Sequence, residues 1–295
     1  MFVKRLFSTI ILLGLFSAAI FAPTPYSWIV FLLLCCLLTF SLVLEICSIV
    51  KNIGMETYRY FAAAVCTLIA AAAWTGVFWI DTLIFITFFL SIPAALSGPL
   101  FILFSRNSGE RIRKWFNTLI VSAFVMLPVF LIVSIYTVGA MFSKYPHRIN
   151  YYFLVFILLT KVGDIGAYVV GTVSNKLMKG GNHKMVPSIS PGKSWEGAVG
   201  GLIITILLAL GFHAWLSDLI VLKTIPMTLI TAVCMFFGSV AGDLMESVLK
   251  RAAGVKDSGA TIPGIGGVFD LVDSLFVTAP VASIVFLAAK FVCKF

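Results

Sequence analysis

Residues 242–273 read GDLMESVLKRAAGVKDSGATIPGIGGVFDLVD. This stretch places five acidic residues, three basic ones and a Gly-Pro cluster between long apolar runs. An isolated charge in hydrocarbon costs about 2.5–3.5 kcal/mol on insertion scales. The carboxylates of Asp243, Glu246, Asp270 and Asp273 therefore need partners. The interleaved Lys250, Arg251 and Lys256 point to phosphate or a metal as what they meet.

The surroundings decide the fold class. Of the 295 residues, 61% are hydrophobic and 11% charged, whereas a soluble chain carries about 25% charged residues. Apolar runs of about 20 residues recur along the sequence, and a backbone in lipid must satisfy its own hydrogen bonds. The expected fold is all-α, a polytopic transmembrane bundle of about nine spans. These cover about residues 1–22, 28–50, 60–78, 82–104, 115–142, 151–173, 197–216, 225–245 and 274–292. Lys4 and Arg5 before the first run give it the look of a signal peptide. The next apolar run follows at once, so an uncleaved helix is expected.

Starting from a cytosolic N-terminus, the segments 51–59, 105–114, 174–196 and 247–273 fall inside. Together with the N-terminus they hold about fifteen of the 21 Lys and Arg residues, the positive-inside bias. That bias accounts for the net charge of +9 without nucleic-acid binding. The expected site is a membrane with its active face toward the cytosol, taken as a bacterial inner membrane. Residues 1–150 read as an N-terminal helical scaffold, and 151–295 as a chemically rich half with cytosolic loops 174–196 and 247–273.

Cysteines 35, 36, 47, 66, 234 and 293 lie almost all in apolar runs with no CxxC pair, as buried small hydrophobes do. Histidines 147, 183 and 213 are too scattered to ligate one metal. Any metal here is expected to be a hard cation held by oxygen.

Three constellations carry polar chemistry. Asp164 lies at membrane depth in TKVGDIGAYVVG. It serves either a functional cavity or a close helix contact through Gly163, Gly166 and Gly171, paired with Lys161 on the same face. In SISPGKSWE (188–196), GKS at 192–194 mimics a P-loop, but Pro187 occupies the required upstream glycine and no strand is expected before it. What remains is a loop of Ser190, Gly192, Lys193 and Ser194 opening a helix near Trp195: a phosphate cradle or an ordinary capped loop. In the opening stretch, Asp243 with Glu246 and Asp270 with Asp273 are spaced i, i+3 on one helix face each. Facing each other, the two pairs suit one or two Mg2+ ions. Gly266 and Gly267 permit close backbone approach.

The same stretch resembles the phosphatidate cytidylyltransferase (CDP-diacylglycerol synthase) family. The family pattern is Ser, Lys-Arg, four residues, Lys-Asp-x-Gly, an apolar-Pro step, His-Gly-Gly and Asp-Arg-x-Asp. Ser247, Lys250-Arg251, Lys256-Asp257, Gly259, Ile262-Pro263, Gly266-Gly267, Asp270 and Asp273 match it in spacing. Ile265 stands where the family has His, and Leu271 where it has Arg. GDIGAYVVG and SPGKSWEGAVGG are similar to further family segments, so the likeness covers about residues 151–280.

The resemblance implies a reaction of CTP with phosphatidate, giving CDP-diacylglycerol and pyrophosphate with Mg2+ as cofactor. It implies Asp243 and Asp270 as metal ligands with Asp273 and Glu246 beside them, and Asp257 orienting a cation or water. Lys193, Lys250, Arg251 and Lys256 would hold nucleotide or lipid phosphate, Ser190 and Ser194 with the backbone at Gly192 would grip the nucleotide, and Asp164 would lie near metal or nucleotide. The implied partners are CTP, phosphatidate, the lipid bilayer and a second copy in a homodimer. Two other readings stay open: a CTP-dependent lipid or polyprenol kinase, and a transporter using Lys161 and Asp164.

Overall fold

A computed structural model of the protein describes residues 2–23, 25–76, 108–142, 149–264 and 266–292. The expected fourth span at 82–104 and Ile265 lie outside the described residues. The helices are α1 (Phe2–Phe21), α2 (Tyr26–Asn52), α3 (Arg59–Gly76), α4 (Ser108–Phe142) and α5 (Ile149–Leu177), then α6 (Trp195–Leu216), α7 (Ile225–Ala252) and α8 (Val268–Val292). Between α5 and α6 lie two short strands, β1 (Lys184–Val186) and β2 (Ser190–Ser194). Among the described residues, α2, α4, α5, α6, α7 and α8 are long and apolar enough to cross a membrane, and α1 and α3 carry shorter apolar stretches. The all-α class is therefore observed, with six described helices that could cross a membrane.

The chain divides into two compact units. The first joins Met1–Val138 to Leu249–Leu271, so the signature loop groups with the N-terminal helices. Within it, α2 packs on α1 and α3. The buried Tyr136 phenol donates to the Ala19 carbonyl at 2.8 Å, and its ring stacks on Phe31 with centroids 3.6 Å apart. α7 reaches its end in this unit with Lys250 and Arg251 in its last turn, where cations suit the helix dipole. Gly254, at φ +68°, closes the helix: Val255 N bonds the Lys250 carbonyl and Gly254 N the Arg251 carbonyl, a Schellman motif.

The second unit joins Gly139–Val248 to Val272–Phe295. Its main packing is α5 on α6, and small residues make it possible. A Cβ on Gly201 would stand 2.7 Å from the Gly163 carbonyl oxygen, and one on Gly197 2.6 Å from that of Ala167. Here the helix-contact reading of Gly163 and its neighbours holds, since lipid gives no hydrophobic drive and close backbone approach must hold the helices.

A short antiparallel hairpin stands where no strand was expected, pairing Lys184 with Ser194 and Val186 with Ser190. It is closed by Trp195 N donating to the His183 carbonyl at 2.9 Å. The first turn of α6 contributes Glu196, whose two oxygens each accept from His183 N at 3.1 Å. Such local ties leave too little periodic pattern for a three-residue strand to be read from sequence.

Candidate active site

The second unit gathers the carboxylates. One helical turn separates Asp243 from Glu246 on α7, and α8 presents Asp273. Ligand oxygens of all three lie within 4.8 Å of one another. Gly242 makes the approach possible: a Cβ there would stand 2.6 Å from the Asp273 carbonyl oxygen and 2.8 Å from Ser274 Cα. α7 and α8 therefore meet backbone to backbone beside the acids.

Two lysines reach the cluster. Lys161 Nζ, from α5, lies 3.3 Å from Asp273 Oδ1 and donates to Ser274 Oγ at 2.6 Å. Lys193 Nζ, from β2, lies 2.8 Å from Asp243 Oδ2 and donates to the Val240 carbonyl at 3.2 Å. Glu246 is only 2% exposed. At 4.8 Å and an effective dielectric of about 20, two carboxylates repel by about 3.5 kcal/mol. Three carboxyl groups against two ammonium groups leave the pocket with one acidic group in excess. Its oxygen donors fit a hard cation and offer nothing to a thiophilic one. Asp164, expected near this chemistry, accepts from Ser239 Oγ at 2.5 Å. Lys161 turns to Asp273, not to the acid one turn away on its own helix.

The first unit holds a second cluster. Asp270 Oδ1 pairs with Lys250 Nζ at 2.8 Å, and Oδ2 accepts from Gly267 N at 2.8 Å, Ser258 Oγ at 2.8 Å and Ser258 N at 3.2 Å. The group that could hold a metal among the described residues is Asp243, Glu246 and Asp273, and Asp270 instead braces Lys250.

The sequence matches the Cytidylyltransferase family over residues 3–289. The chain belongs to that family. It is 35% identical over 223 residues to a phosphatidate cytidylyltransferase of Staphylococcus saprophyticus, spanning 68% of this chain and 81% of that one. It is 41% identical over 136 residues to a phosphatidate cytidylyltransferase of Haemophilus influenzae, and 44% identical over 133 to the chloroplastic phosphatidate cytidylyltransferase 5 of Arabidopsis thaliana. These shorter matches span 46% and 44% of this chain, and 45% and 31% of the two relatives. Family membership makes the protein a nucleotidyltransferase.

The remaining expected residues fall as follows. Ser190, Gly192, Lys193 and Ser194 all lie on β2, immediately before α6. Ser194 is buried and caps α6, its hydroxyl accepting from Gly197 N at 3.1 Å. Gly192 is exposed with open space beside it. Arg251, Lys256 and Asp257 are exposed. Gly266, at φ +128°, and the buried Gly267 line the Asp270 cluster.

Sequence reading missed Ser239, Ser258, Thr261, Ser274 and Glu45. Small hydroxyls leave no pattern of their own. Glu45 did leave a signal: it is the sole charge in the second apolar run, and an ionisable residue there marks function by default. Its carboxylate receives Val268 N at 2.8 Å and Phe269 N at 2.9 Å.

Proposed function

We propose that the protein transfers CMP from CTP to phosphatidate, forming CDP-diacylglycerol and releasing pyrophosphate. The carrying observation is the convergence of Asp243, Glu246 and Asp273 with Lys161 and Lys193 in a chain of the cytidylyltransferase family. A relative named phosphatidate cytidylyltransferase, matched over 68% of this chain, supports the lipid acceptor.

A phosphate oxygen of phosphatidate forms the new bond to the α-phosphorus of CTP. The bond from that phosphorus to the bridging oxygen breaks, and pyrophosphate departs with the electron pair. No covalent enzyme intermediate is needed, so the protein's work is positioning and electrostatics. Lys193, held by Asp243 at 2.8 Å, is oriented to meet nucleotide phosphate as the β2 backbone at Ser190 and Gly192 lies alongside. Lys250, oriented by Asp270, and the exposed Arg251 and Lys256 offer cations to nucleotide or lipid phosphate. Lys161 lies 3.3 Å from Asp273 and holds its carboxylate in place in a half-buried setting.

The fit of the donor set makes Asp243, Glu246 and Asp273 the residues that would hold Mg2+. Bound there, Mg2+ would screen the phosphate charges and ease pyrophosphate departure.

The finer topology belongs to the same proposal: nine spans, a cytosolic N-terminus, and polar segments 174–196 and 247–273 on the cytosolic face of a bacterial inner membrane. The Lys and Arg bias supports that orientation. CTP then arrives from the cytosol and phosphatidate from the bilayer, and the protein works as a homodimer. The test is purified protein with CTP, phosphatidate and Mg2+. Equal amounts of pyrophosphate and CDP-lipid are expected. Release of CDP with phosphate transfer to a lipid would replace this reading with a kinase.

A further inference from the structure

Glu45 lies in α2 and is only 6% exposed. Its carboxylate collects donors from a segment more than 200 residues away in sequence. Val268 N reaches Oε1 at 2.8 Å, Phe269 N reaches Oε2 at 2.9 Å, Ser258 Oγ lies 3.3 Å from Oε2, and Thr261 Oγ1 donates to Oε1. Val268 and Phe269 open α8, and the first N–H groups of a helix have no partner inside it. The preceding residue is Gly267, which has no side chain to cap them.

Asp270 Oδ2 accepts from Gly267 N at 2.8 Å, which is the return half of a capping box. The forward half, normally a Ser or Thr hydroxyl at the cap position, comes here from Ser258 Oγ, which accepts from Asp270 N at 3.3 Å, while Glu45 on another helix takes the two amides before it. The glycines keep room for it. A Cβ on Gly267 would stand 2.5 Å from Glu45 Oε2 and also collide with Ser258 Oγ, and one on Gly259 would stand 2.9 Å from Glu45 Oε1.

Closing a loop would by itself be a structural task. The Ser258 hydroxyl carries it further, because it joins the two carboxylates. It lies 3.3 Å from Glu45 Oε2, 2.8 Å from Asp270 Oδ2, and accepts from Asp270 N at 3.3 Å. Asp270 in turn holds Lys250 at 2.8 Å. A chain of direct contacts thus runs from Glu45 through Ser258 and the α8 N-terminus to Asp270 and the Lys250 ammonium.

We propose that Glu45 is a positioning residue for nucleotidyl transfer, fixing the orientation of Asp270 and, through it, of Lys250. This rests on the reading that Lys250 meets substrate phosphate. It gives the N-terminal helices a part in the chemistry beyond that of a scaffold.

The test uses the full chain in lipid nanodiscs with CTP, phosphatidate and Mg2+. Glu45→Gln keeps the shape but replaces one accepting oxygen with an NH2 that faces the N–H and O–H donors. It should lower kcat per folded molecule by about 10–100-fold, with KM for CTP changed by no more than about threefold. Glu45→Asp, which keeps the charge, should recover part of the loss. Hydrogen exchange at the Val268 and Phe269 amides should quicken in Glu45→Gln while α5 and α6 are unaltered. A folded Glu45→Gln with kcat within about twofold of the parent overturns the proposal. So does a loss fully explained by less folded protein.

Should Glu45→Gln fail to fold, Thr261→Val removes one donor to Glu45 and leaves the Asp270 contacts alone. It should lower kcat at least about threefold, and a kcat equal to the parent's overturns the proposal. Should the parent form no CDP-lipid, the functional reading fails separately. Unchanged exchange at Val268 and Phe269 in Glu45→Gln would then still sink the Glu45 clamp.

Discussion

Gly242→Ala tests whether the acid cluster depends on backbone approach. The added Cβ would stand 2.6 Å from the Asp273 carbonyl oxygen, 2.8 Å from Ser274 Cα and 3.0 Å from the Ser274 carbonyl oxygen. All three are backbone atoms, so no flexible side chain can yield. Ordinary contact starts at 3.4 Å, which requires α7 and α8 to separate by about 0.8 Å at this point. Overpacking of this kind costs about 1–3 kcal/mol, and replacing glycine by alanine in a helix returns about 1 kcal/mol. Net destabilisation is therefore about 0–2 kcal/mol.

The catalytic cost is larger. The same shift draws Asp243 on α7 away from Asp273 on α8, and a misplacement of about 1 Å can cost about 100-fold in rate. The assay is CDP-lipid formation per folded molecule, with thermal melting in the same detergent. Gly211→Ala is the control, because a Cβ there meets nothing within 4 Å. It should keep full activity. A Gly242→Ala protein that melts normally and works within about threefold of the parent would refute the backbone-approach account.

Two further outcomes separate the clusters and the surface. Asp243→Asn and Asp270→Asn should both abolish turnover, and Asp270→Asn should also destabilise the fold, by about 3 kcal/mol, because it breaks the 2.8 Å pair with the 14%-exposed Lys250. Asp243→Asn weakens the Lys193 pair but relieves repulsion in the acid cluster, so it should lose less stability than Asp270→Asn; a matching loss in both would contradict the division of roles. Glu56 is exposed and accepts from Lys114 Nζ at 3.1 Å, which holds its carboxyl below the ordinary value of 4.5. A depressed folded-state pKa stabilises above the ordinary value and loses that contribution as pH falls through the lowered one. The melting deficit of Glu56→Gln should therefore be present at neutral pH and fade below pH 4.5, and a deficit constant with pH would exclude the ion pair as its cause.

The sequence by itself determined the class and much of the chemistry. Apolar runs longer than a bilayer core leave a backbone no alternative to helix, so α2 and α4–α8 were legible from composition. The i, i+3 spacing of Asp243 and Glu246 put both on one face of α7, and helix geometry alone guarantees that. The small residues at Gly163, Gly166 and Gly171 likewise announced a close helix contact.

Tertiary structure decided which acid meets which base. Asp270 and Asp273 look equivalent in sequence, one turn apart, yet Asp270 takes Lys250 and Ser258 whereas Asp273 takes Lys161, 112 residues away. Lys193 finds Asp243 across 50 positions, and Glu45 finds the start of α8 across more than 220. Periodicity reports the face a side chain occupies, but the neighbour on that face is chosen by helix packing between distant parts of the chain. That is why the acidic stretch at 242–273 could be named as a candidate site from sequence, while its division into the Asp243, Glu246 and Asp273 cluster and the Asp270–Lys250 pair could not.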